Sequence, residues 1–142
     1  MTENMKISTI NTLCGIIVKI DFKELADAKI RTTLYNDYYH LRRFVKQADE
    51  DRQEIVNKFQ QDRKDELAAV DAFRKENKPV VGHDAYLEAE RDANKAISDI
   101  FDADVEVSLK PVKLDAFLSS YKGEGLNFEQ IAVLQENGIL EE

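Results

Sequence analysis

Apolar side chains recur through the middle of this chain at alternating steps of four and three: Leu34, Tyr38, Leu41, Val45 and Ala48, then, past the charged Arg52, Ile55 and Phe59. That is the heptad rhythm of a helix with one buried seam, as in a coiled coil. It continues less cleanly through Arg63, Glu66/Leu67, Val70 and Phe73, and neither glycine nor proline interrupts the chain between Gly15 and Pro79. The pattern predicts one long helix over about 22–77, opened by Asp21 with Glu24 in a capping-box arrangement. At 1.5 Å per residue it would run about 80 Å if unbroken, more than a short domain can cover, so it requires a kink or a partner.

Pro79 and Gly82 place a turn at residues 78–83. Asp84 then caps a second helix over about 84–102, with Tyr86, Ala89, Ala93, Ala96, Ile97, Ile100 and Phe101 at helical spacing. The two helices are expected to form an antiparallel hairpin, with Tyr86 near Phe73 and Arg74, Asp102 near Lys58, and Asp62 opposite about Ser98. Beyond them the period falls to two, Val105, Val107 and Leu109 alternating with Glu106, Ser108 and Lys110. This is a half-buried strand over about 104–110 that ends at Pro111. A lone strand needs a partner, and residues 5–8 at the other end of the chain are the best candidate.

The C-terminal helical elements fall within 113–137. Leu114, Phe117 and Leu118 suit one or two turns, and Lys122-Gly-Glu-Gly125 makes a turn. Asn127 with Gln130 forms a capping box for a last helix carrying Phe128, Ile131, Val133 and Leu134, stopped by Gly138. Residues 10–20 are narrowly helical: Ile10, Leu13, Ile17 and Ile20 have the spacing, although Gly15 and the β-branched neighbours would also suit a strand. The fold class expected is mainly α with minimal β, in a single domain: a long antiparallel helical hairpin, a short two-stranded ribbon and small C-terminal helices.

The chain has 142 residues and a net charge of −8, which argues against a nucleic-acid surface built on phosphate neutralisation. The charge is uneven. Residues 23–46 carry six Lys and Arg against three acids, whereas residues 84–106 carry eight acids and only Arg91 and Lys95. Cys14 is the sole cysteine, so there is no disulfide framework or thiolate cluster. The N-terminus lacks a basic leader and the longest apolar run, residues 13–18, is far short of a membrane span. The chain therefore reads as soluble and unexported.

Catalytic constellations are thin. Cys14 has no histidine near it in sequence, and His40 and His83 are far apart. Asp102-x-Asp104-x-Glu106 begins like a calcium loop but has Val107 where glycine is needed and Lys113 where a bidentate glutamate belongs. Gly123-x-Gly125 lacks the strand and the Lys-Ser/Thr of a phosphate cradle. Asp62-x-x-Asp65 with Glu66, and Asp99-x-x-Asp102, resemble the acidic pairs of the all-α nucleotide pyrophosphohydrolases. That family chiefly uses Glu-x-x-Glu and Glu-x-x-Asp, and its phosphate- and base-reading residues have no counterpart here. No cofactor and no metal site is assigned.

The feature that stands out is aromatic. Tyr35, Tyr38, Tyr39 and Phe44 place rings on more than one face of the long helix, beside Arg42 and Arg43, and tyrosine and arginine are enriched at protein interfaces. The same rings serve equally well as core, and both readings stand. As an interface the set comprises Leu34, Tyr35, Tyr38, Tyr39, Leu41, Arg42, Phe44 and Val45.

Three segments carry a resemblance: Lys29-Ile-Arg-Thr-Thr-Leu-Tyr-Asn-Asp-Tyr-Tyr-His-Leu-Arg-Arg-Phe44 with the acidic heptads that follow, Asp104-Val-Glu-Val-Ser-Leu-Lys-Pro-Val-Lys-Leu-Asp-Ala-Phe117, and Leu126-Asn-Phe-Glu-Gln-Ile-Ala-Val-Leu134. In this order they resemble small tailed-phage and prophage helical proteins of unknown function, departing from them in the compact turn at residues 77–83. The resemblance implies a non-enzymatic role in the bacterial cytoplasm or a virion. The function expected is that of a phage accessory or assembly protein acting by protein–protein contact, a homo-oligomer with no membrane or nucleic-acid partner. The alternative is an acidic inhibitor or adaptor that binds a basic host surface through residues 84–106, and the weaker one is a divalent-metal nucleotide pyrophosphohydrolase using Asp62, Asp65, Asp99 and Asp102.

Overall fold

A computed structural model describes residues 2–64 and 84–142. The protein is mainly α. In chain order the elements are β1 (Thr2–Lys6), α1 (Ile7–Ile17), a single 3-10 turn (Phe22–Glu24), α2 (Ala28–Asp62), α3 (Asp84–Asp102), β2 (Asp104–Ser108), β3 (Val112–Lys113), α4 (Leu114–Ser120), α5 (Phe128–Glu136) and β4 (Leu140–Glu141). The chain divides into two compact units where one domain is expected from sequence: residues 1–46 with 103–142, and residues 47–102. The membership of α2 is split between them.

The first unit holds the hydrophobic core. Ile10, Leu13 and Ile17 of α1, Leu34 and Leu41 of α2, Val107, Phe117, Leu134, Ile139 and Leu140 are all closed to solvent. Residues 10–17 are thus helical, and their spacing of three and four puts the apolar side chains on one buried face. β1 pairs antiparallel with β2, Met5 opposite Val105 and Glu3 opposite Val107. The strand from the N-terminus is residues 2–6 and not 5–8, because α1 begins at Ile7, whose N–H donates to the Ala103 carbonyl at 3.1 Å. A second, parallel pair, unforeseen from sequence, sets Val112 opposite Leu140 and Lys113 opposite Glu141.

The long helix starts later than residue 22. Asp21 does act as a cap, but its carboxylate accepts from the Lys23 N–H at 3.1 Å and closes only the 3-10 turn. The chain then extends at Leu25, which bridges Tyr121, and Ala26 donates to the Ser120 carbonyl at 3.1 Å. The cap of α2 is Asp27, whose Oδ1 accepts from the Lys29 N–H at 2.8 Å and the Ile30 N–H at 3.3 Å. Its own N–H donates to the buried Ser120 hydroxyl at 2.9 Å. Asp27→Ala is expected to lower stability by about 1 kcal/mol and Asp27→Asn to leave it nearly unchanged, since asparagine caps equally well. Thermal unfolding followed by circular dichroism checks this, and an alanine variant as stable as wild type would show that the cap contributes nothing.

The C-terminal elements match their sequence signals more closely. Asn127 and Gln130 exchange both capping-box bonds, at 2.8 and 2.9 Å. Gly138, at φ 80°, ends α5: its N–H donates to the Gln135 carbonyl and that of Ile139 to the Leu134 carbonyl at 3.0 Å. This is the 6→1 and 5→2 pairing of a Schellman motif, and the buried Leu134 and Ile139 supply its apolar contact. Gly125 is required for a different reason, since a Cβ there would collide with the Lys19 carbonyl oxygen.

In the second unit, α3 runs along the latter part of α2. One groove of about 280 Å³ is lined by Val56, Phe59 and Gln60 with Glu90, Ala93, Asn94 and Ile97. Another includes Lys58, Phe59, Asp62, Ala89, Asp92 and Ala93. The helices are antiparallel, but Lys58 and Asp62 sit by Ala89 and Asp92 and not by Asp102 and Ser98 as expected. Phe59 and Ala93 line both grooves, so the ring is accommodated where the facing helix offers alanines. The seam residues Ile55, Val56, Phe59, Ala93 and Ile97 are half-buried. The turn at 78–83, the stretch 65–77 and the Tyr86 side chain with its expected neighbours Phe73 and Arg74 lie outside the described residues. Among the described residues no helix is long and apolar enough to cross a membrane.

Candidate functional site

The first half of α2 presents three sets of side chains, each with a different fate. The inner set is the heptad seam. Leu34 and Leu41 are wholly buried, and Tyr38, Phe44 and Val45 are partly buried and packed on the same core. Five of the eight residues expected at an interface are therefore engaged inside the unit, and Leu34 and Leu41 have no surface to offer a partner. The seam is consumed by α1, the β-ribbon and the C-terminal helices, so a polar substitution at Leu41 probes the core and not self-association.

The outer set is open to solvent. Tyr35 and Tyr39 are 56% and 54% exposed, and their rings stack with centroids 6.2 Å apart and planes 19° from parallel. Arg42, Arg43 and Lys46 follow, with Arg42, Arg43 and Lys46 all exposed. Steps of four, three and four put Tyr35, Tyr39, Arg42 and Lys46 in one line on the helix face turned away from Leu34 and Leu41. Aromatic rings of this size normally lie inside, and a stacked pair left in water beside guanidinium groups is an arrangement suited to contact.

The third set is polar and buried. Asp37 is 4% exposed, and its Oδ1 accepts from the Lys110 N–H at 3.0 Å. Its Oδ2 has no hydrogen-bond partner among the described residues. One turn on, His40 Nε2 accepts from the Ser108 N–H at 3.3 Å, with the ring set edge-on to Phe44 at 5.6 Å. Two side chains of α2 thus grip alternate N–H groups at the end of β2. Burial pushes the Asp37 carboxyl up to about 6, against the smaller opposing pulls of the Lys110 N–H and its ammonium. The signal was present in the sequence: Asp37 is the single acid flanked on the buried face by Leu34 three residues before and Leu41 four after.

The candidate catalytic groups are dispersed or engaged. Burial pushes the Cys14 thiol up to about 11, with Arg42 pulling weakly the other way, so it is not a ready thiolate. His40 is committed to the Ser108 N–H, and His83 lies outside the described residues. Of the acidic pairs, Asp62 lines a groove with Ala89 and Asp92, whereas Asp99 and Asp102 are exposed, and neither lines that groove. Asp65 and Glu66 lie outside the described residues. Among the described residues no three His, Cys, Asp or Glu side chains converge to hold a metal ion. A hollow of about 310 Å³ in the first unit is floored by Val107, Leu109 and Leu140 and rimmed by Glu3, Glu136 and Glu141, with no serine, cysteine, histidine or lysine in its lining.

The acidic segment has a geometry of its own. Glu88, Asp92, Asp99 and Asp102 belong to the acidic side of α3, with Lys95 between them, and steps of four, three, four and three align them along one face. Ala89, Ala93 and Ile97 lie beside that face in the seam with α2, whose edge Asp92 shares. No family model matches this chain, and no curated protein or solved structure matches it.

Proposed function

We propose that this protein acts by protein–protein contact, without a reaction of its own, and that it self-associates through the outer face of α2. The observation that supports this reading is the stacked, half-exposed pair Tyr35 and Tyr39, which the core does not use and which arginines adjoin. The resemblance of residues 29–44, 104–117 and 126–134 to small phage and prophage proteins supplies the proposed setting, an accessory or assembly role in the host cytoplasm or the virion. A second reading, an adaptor that binds a basic surface of a host protein, is favoured by the acids along α3; its distinguishing sign is a wild-type chain that stays monomeric.

Light scattering separates the two. The wild-type protein is expected to show a mass above the 16.3 kDa of one chain, rising with concentration. The double variant Tyr35→Ala/Tyr39→Ala is expected to return to the monomer with its circular dichroism unchanged, because neither ring belongs to the core. A double variant that keeps the wild-type mass would remove the outer face from the proposal.

A further inference from the structure

We infer that the outer stripe of α2 docks against the acidic stripe of α3 from a second copy of this chain. This deepens the self-association reading and rests on it. The first observation is a match of charge. Arg42 and Lys46 are the cations of the outer stripe, with Arg43 beside them, and along α3 Glu88, Asp92, Asp99 and Asp102 outnumber Lys95, the one cation on that face. The second is a match of rhythm: both stripes step by fours and threes, so two helices laid side by side bring successive positions together along the contact. Tyr35 to Lys46 spans about 17 Å and Glu88 to Asp102 about 21 Å at 1.5 Å per residue, so the lengths also correspond.

Neither stripe is ion-paired inside its own unit, although Asp92 also lines a groove with α2 and Arg42 acts weakly on Cys14. Among the described residues, no ion pair engages Arg42, Arg43, Lys46, Glu88, Asp92 or Asp99, and Asp102 has only the Ser98 hydroxyl at 3.5 Å. The positions of α2 that share grooves with α3 are Ile55 to Arg63, all further along the helix than the stripe. The tyrosines fit the same occupant, since a phenol O–H donates to a carboxylate while the ring covers the aliphatic stems of neighbouring side chains. Each copy carries both stripes, so two copies can make the contact twice, or a row of copies once at every junction. A patch of four helix positions per contact is small, and the association is accordingly weak and fast.

Charge exchange tests this. Arg42→Glu/Lys46→Glu and Asp92→Lys/Asp99→Lys alter only exposed side chains, and unchanged circular dichroism establishes that both variants fold. Each alone is expected to be monomeric by sedimentation velocity, because like charges then face each other, and an equimolar mixture is expected to regain the wild-type association. Salt of about 0.5 M is expected to weaken wild-type association about tenfold or more, the screening length then being only a few ångströms. A mixture that stays monomeric, or a single variant that associates as wild type does, overturns the inference. If charge reversal and salt have no effect while Tyr35→Ala/Tyr39→Ala abolishes association, this inference falls and the parent reading stands; a wild type that is monomeric at every concentration removes both.

Discussion

Phe117→Ala is expected to lower the stability of the first unit by about 3–5 kcal/mol, a large part of the 5–15 kcal/mol that a typical domain has. Phe117 is wholly closed to solvent, and its ring stacks on Tyr121 at 5.3 Å and 24°. Tyr121 in turn accepts the Asp21 N–H on its hydroxyl at 3.2 Å and bridges Leu25. The aromatic pair therefore secures the segment between α1 and α2, and its loss removes apolar burial and leaves a cavity that a seven-residue helix with both ends anchored cannot close. Urea unfolding followed by circular dichroism should show a lower midpoint with an unchanged slope. The neighbouring Leu118, 51% exposed on the same helix, supplies the contrast: Leu118→Ala should change stability by no more than about 0.5 kcal/mol. Equal effects at the two positions would mean that α4 is not held by its inner face.

The elements that could be read from sequence are those whose signal lies within a few residues. The capping box of Asn127 and Gln130 and the stop at Gly138 are local hydrogen-bond chemistry, and the structure reproduces both. The heptad seam and the two-residue alternation at Val105 and Val107 are also local, and they led to α2 and β2. The start of α2 is not legible locally because Asp21 and Asp27 are equally good caps; Ser120 and Tyr121, nearly a hundred residues away, hold the segment between them. β3 and β4 are two residues each, too short to show a period, and exist only because their strands meet. Where α3 meets α2, with Phe59 and Ala93 in both grooves, is a tertiary match that no spacing along either helix specifies. At the candidate site, residue type alone does not distinguish the buried Leu34 from the exposed Tyr35, whereas position around the helix relative to Leu34 and Leu41 does.

Asp37→Asn should stabilise the protein at neutral pH, by about 2–3 kcal/mol if the whole shift is recovered at about 1.4 kcal/mol per pH unit. In the folded protein the carboxyl is raised from 3.8 to about 6 by burial. A raised carboxyl means that the native state holds its proton more firmly than the unfolded chain does. This group's favourable contribution is therefore complete below about pH 4 and is lost as pH rises through about 6. Above that, an ionised carboxylate sits 4% exposed with Oδ2 unpartnered among the described residues, and the groups that face it are the Lys110 N–H and ammonium, with His40 one turn along the same helix. Asparagine keeps the acceptor for the Lys110 N–H and carries no charge, so it imitates the protonated acid at every pH. Chemical unfolding of both proteins between pH 4 and 8 should give curves that nearly coincide at the acid end, separate between about pH 4 and 6 and run parallel above that, the variant being the more stable. A difference that is flat with pH would mean that Asp37 is solvated well enough to ionise freely, and the grip of α2 on the end of β2 would then involve no buried charge.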